Sequence, residues 1–414
     1  MTGGTSQILP LRRLEGMNAH SLQLSQTTAP VVVLGAGYAG LVTALRLAPH
    51  VPVTLVDPKR SFTERVRLHQ LAAGRPSVSH PLAALLRGTG VHHVAARAVD
   101  LDLAARHVRT DDGDVLPYAR LVYALGSVTN TPSSYADGQA GGDGRLHTAE
   151  TAAELHRRLL AGKAGRVVVV GGGLTGIEMA SEIAEAYPAW EVGLVTAGMV
   201  GAGLSAKGRA HVLAVLAGLG VRVEEGRPVA SADEVDADVV VWAAAVRPVN
   251  EPARAAGLAL DREGRVAVDG RLRSVSDASV YVVGDAAGTG LRMSCAVAIP
   301  AGMYGAASVR ADLGGRRLRD FSYRFSGQCI SLGRGDALVQ WVHGDDTPRP
   351  SALTGRPAVL LKERIVRSTV GFVRLAAARA RWGGGSAIRQ ATATRPVASP
   401  SPFSPPSDAA QWRA

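Results

Sequence analysis

Two glycine-rich turns hold the chemistry that can be read from this chain. The first, Gly35-Ala36-Gly37-Tyr38-Ala39-Gly40, follows the apolar run Val31 to Leu34, and apolar residues at helical spacing continue from Leu41 to Ala48. A second apolar run, Val53 to Val56, ends in Asp57, 22 residues after Gly35. Each residue type suits a dinucleotide. Gly35 permits the tight turn, Gly37 lets a pyrophosphate approach the backbone, and Gly40 lets the helix pack closely on the strand. The helix start offers unpaired N–H groups to the phosphates, and Asp57 can accept hydrogen bonds from an adenosine ribose. A glycine turn alone is weak evidence. Strand, turn, helix, second strand and acid in this order make dinucleotide binding the expectation.

The pattern returns about 136 residues downstream, as Gly171-Gly172-Gly173-Leu174-Thr175-Gly176 behind Val167 to Val170, with Glu178 soon after. Two nucleotide sites in one chain suggest electron transfer between their occupants. The second copy lacks its acid, because the strand Val192 to Val195 ends in Thr196-Ala197. Three alternatives stay open: NADPH held by Lys207 or Arg209 nearby, either nicotinamide cofactor held loosely, or a site that has lost its nicotinamide.

Leu121 to Ser127 reads as a short strand ending in Ala124-x-Gly126, and Val280 to Ala286 as a strand ending in Gly284-Asp285-Ala286. With these four motifs in this order, residues 30 to 380 resemble the flavoproteins with two dinucleotide-binding domains, the pyridine nucleotide-disulfide oxidoreductases. The nearest likeness is to type II NADH dehydrogenases and their actinobacterial relatives. Leu68 and Gln70 match the Leu-x-Gln segment those enzymes place at the flavin, and Gly327 to Gly333 and the basic C-terminal helix are also similar.

The resemblance implies FAD on the first turn, through Gly35, Gly37, Tyr38, Ala39, Gly40, Asp57, Gln70, Ala98, Ala124, Gly126, Gly284, Asp285, Ala298 and Pro300. A helix starting near Pro300 would set its positive end against the flavin. NAD(P)H, the implied donor, would use Gly171, Gly173, Gly176 and Glu178. Hydride transfer between them needs positioning rather than an acid–base apparatus.

Departures from the family pattern bear on the acceptor. The two glutamines that type II enzymes carry after Gly-Asp-Ala are replaced here by Ala296 and Pro300, and a usual glycine by Ala245. His69 is a candidate proton donor beside the flavin, against the plainer reading of a packing histidine. Cys295 is a candidate redox thiol, although it and Cys329 read more simply as small buried residues. No Cys-x-x-Cys occurs, and the pair His92-His93 has no metal-ligand spacing, so no metal is expected.

These residues need an α/β fold: two Rossmann-like dinucleotide-binding domains, the NAD(P) domain inserted in the FAD domain, plus a C-terminal region. The expected limits are 30–148 and 270–320 for the FAD domain, 149–269 for the NAD(P) domain and 321–382 for the C-terminal region. A polar leader would occupy 1–29 and a Gly- and Pro-rich tail 383–414, both too poor in apolar residues to order themselves.

The net charge of +11 sits mainly at the C-terminus, where residues 351–414 hold ten Lys or Arg against Glu363 and Asp408. No nucleic-acid-binding motif accompanies it. Residues 356–382 read instead as a basic amphipathic helix suited to an anionic membrane surface, to capping the flavin domain or to a homodimer contact. The expected location is cytoplasmic or at the inner face of the membrane. The function expected is an FAD-dependent NAD(P)H oxidoreductase acting on a quinone or other small acceptor. The alternatives are a tailoring flavoenzyme acting directly on one metabolite, and a non-catalytic flavin-bearing sensor or scaffold.

Overall fold

The computed structural model describes residues 29–75, 78–132 and 144–383. The expected leader and tail lie almost wholly outside the described residues. The main elements in chain order are β1 (Val31–Leu34), α1 (Tyr38–Leu47), β2 (Val53–Val56), α2 (Leu68–Ala72), β3 (Val91–Val94), β4 (Ala98–Asp102), β5 (Arg120–Tyr123) and β6 (Ser127–Thr129). There follow β7 (Leu146–Thr148), β8 (Gly165–Val170), α3 (Leu174–Ala186), β9 (Trp190–Val195), α4 (Ala206–Gly218), β10 (Arg222–Glu224), β11 (Val239–Trp242) and β12 (Val246–Pro248). The chain then forms β13 (Val280–Val282), α5 (Cys295–Leu313), β14 (Gly327–Ser331), β15 (Ala337–Val342), β16 (Pro348–Thr354) and α6 (Gly355–Gly383).

Short β-branched runs with no polar face can only sit in a sheet covered on both sides. Val31–Leu34 is buried at every residue, and so is Val239–Trp242. Two five-stranded parallel sheets result, in the orders β13-β5-β1-β2-β3 and β7-β11-β8-β9-β10. In both, the strand order reverses beside the strand that feeds a glycine turn, which is where open α/β sheets bind ligands. The second unit interrupts the first, as the motif order implied.

Its limits differ from the sequence reading. Leu146–Thr148 pairs with Val240–Trp242, so the second sheet begins before residue 149. At the far end, Val246–Pro248 pairs antiparallel with Ser127–Thr129, and Ala253, Leu258 and Val266 pack in the first unit's core with Val32 and Leu34. The chain from Val246 onward therefore belongs with the first unit. Pairings between distant segments, not local composition, set these boundaries.

The C-terminal region is an antiparallel sheet, β14-β15-β16, followed by the long helix α6. Val370, Val373, Ala377 and Ala380 of α6 share a core with Leu41 and Leu45 of α1. Small side chains at helical spacing allow this close approach, and each buried valine contributes roughly 1.5–3 kcal/mol. The helix is thus fused to the first unit, while Ile330 of β14 and Leu338 of β15 pack in the second unit's core with Ile177 and Ile183.

Candidate functional site

The first turn is built by close backbone contact. Gly35 has φ +96°, and a Cβ there would stand 2.5 Å from the Ala124 carbonyl oxygen. A Cβ on Gly40 would stand 2.0 Å from the Gly35 oxygen. Gly37, the residue before α1, differs: a Cβ there would meet nothing within 4 Å, and no side chain caps the helix. The first N–H groups of α1 therefore have no side-chain cap and open space beside Gly37, where a phosphate could approach them. Asp57, at the end of β2, accepts the Ala36 N–H at 2.7 Å and the Lys59 N–H at 2.8 Å. Its carboxylate fixes the turn and keeps lone pairs for a ribose.

Several of the other residues expected at FAD pack close to this turn. Gly284 has φ +72° and lies against Ala39 and Ala298. Asp285 accepts the Ser127 hydroxyl at 2.7 Å, next to Gly126. Gly302 seats α5 on α1, since a Cβ there would meet the Ala39 oxygen at 2.4 Å, and Thr43 Oγ1 bonds both the Ala39 and Gly302 carbonyls. Gln70 is buried on α2, accepting from Arg67 Nε at 2.8 Å and donating to Glu363. Ala98 opens β4 inside the core with Val32, Leu34 and Val56.

One expectation is corrected. The helix that follows Asp285 begins at Cys295, and Pro300 lies inside it, in the second turn. Its ring nitrogen withholds an N–H from the Ala296 carbonyl. Cys295 and Ala296 occupy the helix start instead. Ala245 causes no strain: its φ is not positive and the residue is exposed.

The second turn repeats this steric logic. Gly171 has φ +123°, and a Cβ on it would lie 2.5 Å from the Ala243 oxygen. One on Gly176 would lie 1.8 Å from the Gly171 oxygen, and one on Gly173 would meet nothing. α3 starts uncapped with no acid in its first turn, whereas in α4 Ser205 accepts the Gly208 N–H at 3.1 Å. Gly171 to Leu174, Thr196, Ala197, Arg227, Arg292 and the 345–348 turn line a cavity of about 660 Å³. That is within the range of small-ligand sites. Lys207 and Arg209 are not on its wall, and Arg209 is engaged with both Glu225 oxygens. Arg227, unremarked in the sequence, is on it.

Glu178 does not line this cavity. It is held by Lys362 of α6 at 2.5 Å, by the Ser331 N–H at 3.0 Å, and lies 3.4 Å from His69 Nδ1. Burial favours the neutral carboxyl, but the charges and hydrogen bonds around it win and hold Glu178 below the usual carboxylate range. Lys362 is the strong partner, because burial pushes His69 down to about 3 and leaves its ring neutral near pH 7. Next to it Glu182 pairs with Arg334, and burial raises the Glu182 carboxyl.

Lys362, Ser331 and Arg334 were missed in the sequence, although Lys362 is one of only four lysines in an arginine-rich chain. The His69 ring Nε2 is buried without a partner, and a neutral histidine here is a weak proton donor at neutral pH. Burial pushes the Cys295 thiol up to about 11, which disfavours the reactive thiolate.

The family model for pyridine nucleotide-disulphide oxidoreductases matches residues 29–302. The chain belongs to this family. It is an FAD-dependent oxidoreductase with NAD(P)H as electron donor. An NADH dehydrogenase-like protein of Mycobacterium tuberculosis is 30% identical over 376 residues, 81% of this chain and 92% of the relative. A type II NADH:quinone oxidoreductase of Staphylococcus haemolyticus is 25% identical over 394 residues, 83% of this chain and 95% of the relative. The fold is that of NDH2 from Plasmodium falciparum, solved with NADH: TM-score 0.70 at 14% identity, covering 89% of this chain and 99% of that one.

Proposed function

We propose that this protein passes electrons from a nicotinamide cofactor through FAD to a quinone, at the surface of an anionic membrane. The observation that carries the reading is the pair of uncapped helix starts, each walled by glycines and each open only where its middle glycine, Gly37 or Gly173, faces outward. The residues of the first turn fit FAD: the start of α1 would hold its diphosphate, Asp57 its ribose and Asp285 its ribityl chain. When bound, FAD would accept the hydride of the nicotinamide and release electrons to the acceptor. The start of α5 would stabilise negative charge there, and Glu178 and Lys362 would fix α3 and α6 beside it.

The relatives' names support a quinone as acceptor. Ala296 and Pro300, standing in place of polar residues, favour a second reading in which the acceptor is a different small apolar metabolite. For the membrane, α6 exposes Leu360, Ile365, Phe372, Leu375 and Trp382, interleaved with the exposed Arg364, Arg367, Arg374 and Arg379. Among the described residues no helix is long and apolar enough to cross a membrane, so contact would be peripheral.

The test is anaerobic. NADH or NADPH is mixed with the yellow protein, and then a soluble quinone is added. Bleaching followed by recovery of the flavin absorbance is expected; a flavin that neither nucleotide bleaches overturns the reading. Vesicles settle the rest, since a protein that cosediments equally with neutral and anionic lipid does not use these arginines.

A further inference from the structure

The backbone bonds of the two turns align them residue by residue. The Gly35 N–H meets the Val56 carbonyl and the Gly171 N–H the Val195 carbonyl, each at 2.8 Å, so Thr196 stands where Asp57 stands in the first unit. An acid at this position accepts the ribose 2′-hydroxyl of NAD, while an arginine beside it accommodates the 2′-phosphate of NADP. Thr196 and Ala197 offer no carboxylate. What the cavity wall offers there is Arg227.

Arg227 is fastened to that spot by its own backbone, because its N–H donates to the Thr196 carbonyl at 3.0 Å. Its guanidinium is pre-set by Glu224 at 3.0 Å and the Glu234 carbonyl at 2.8 Å, and three of its five N–H donors are left to meet a ligand. Glu224 is more than half exposed and is not on the cavity wall, so water screens its charge. The other arginine of the wall, Arg292, is tied to Asp346 and lies over the Phe325 ring.

We propose that the second site selects the 2′-phosphorylated cofactor, NADPH over NADH, and that Arg227 is the residue that reads the phosphate. This rests on the second turn being the nicotinamide site. It departs from the names of the relatives, which specify NADH.

Calorimetry on the FAD-loaded protein tests it with two probes, adenosine 2′,5′-bisphosphate and adenosine 5′-monophosphate. The bisphosphate should bind about tenfold tighter or more, the size of one charge-assisted hydrogen bond. Arg227→Ala should erase that difference, and Arg227→Lys should keep part of it. Thr196→Asp should turn the preference towards the monophosphate, and its flavin spectrum reports that it is folded. Equal binding of the two probes by the unaltered protein, or a preference that survives Arg227→Ala, overturns the proposal. If NADH and NADPH bleach the flavin equally, the selectivity fails while the electron-transfer reading stands. If neither probe binds and neither cofactor bleaches the flavin, both fail together.

Discussion

The two glycine turns share one backbone solution, and two of the side chains in which they differ set them apart chemically. Both place a Cβ-intolerant glycine under a carbonyl, and both leave the helix start open. Where the first has Asp57, the second has Thr196; where the first has Val42, buried in the core, the second has Glu178, held by Lys362. The shared part is steric and makes any dinucleotide welcome. The differing part would assign the work: on the proposed reading Asp57 would fix the ribose of a resident cofactor, while the helix of the second turn is pinned by Lys362 to the C-terminal helix. Repetition of a motif therefore speaks for the fold, and departures from the repeat speak for function.

The largest effect should come from breaking that ionic pin. Lys362→Met leaves Glu178 buried without its main partner, and loss of one member of a buried pair costs about 3–5 kcal/mol. Thermal unfolding should show the drop, and Glu178→Gln added to Lys362→Met should recover much of it. No change in the single variant would mean that Glu178 reaches water and that the contrast with Val42 is trivial.

Next in size are the closed glycines. Gly40→Ala and Gly176→Ala each push a methyl into a carbonyl, a clash worth roughly 1–3 kcal/mol or more. The two losses should be similar if the turns are alike in backbone, as chemical denaturation of both variants would measure.

A further effect concerns pH and builds up only as the solution is acidified. Burial lowers His69 from 6.5 to about 3, so the unfolded chain takes up this proton first as the solution is acidified. Its contribution is fully present above pH 6.5 and is lost as pH falls towards 3, at about 1.4 kcal/mol per pH unit for one proton. The difference between the wild type and His69→Asn, with Glu178, Glu182, Lys362, Arg334 and Arg67 common to both, should show this slope. Parallel acid limbs would contradict it.

The parts legible in the sequence were those encoded locally. Each nucleotide unit announces itself within about 30 residues, because strand, turn and helix are contiguous, and Gly40 and Gly176 answer to Gly35 and Gly171 five residues away. Parts made by distant pairing were not. Lys362 meets Glu178 across 184 positions. Arg227 reaches Thr196 only because the chain turns back after β10 to lie beside β9. The start of α5 lies at Cys295, five residues before the proline that suggested a helix start, because a proline in the second turn stays in the helix at the cost of the bond to Ala296. The insertion limits moved because Leu146–Thr148 finds its partner strand near residue 240.

The central claim, that the first turn keeps the flavin and the second exchanges the nicotinamide, is tested most directly by one pair of variants. In Gly37→Val and Gly173→Val the added side chain meets no protein atom at its Cβ, so each should fold while filling one cradle. The account predicts a colourless Gly37→Val protein that still binds nicotinamide nucleotide, and a yellow Gly173→Val protein that NAD(P)H no longer bleaches. A Gly173→Val protein bleached as fast as the wild type would contradict it.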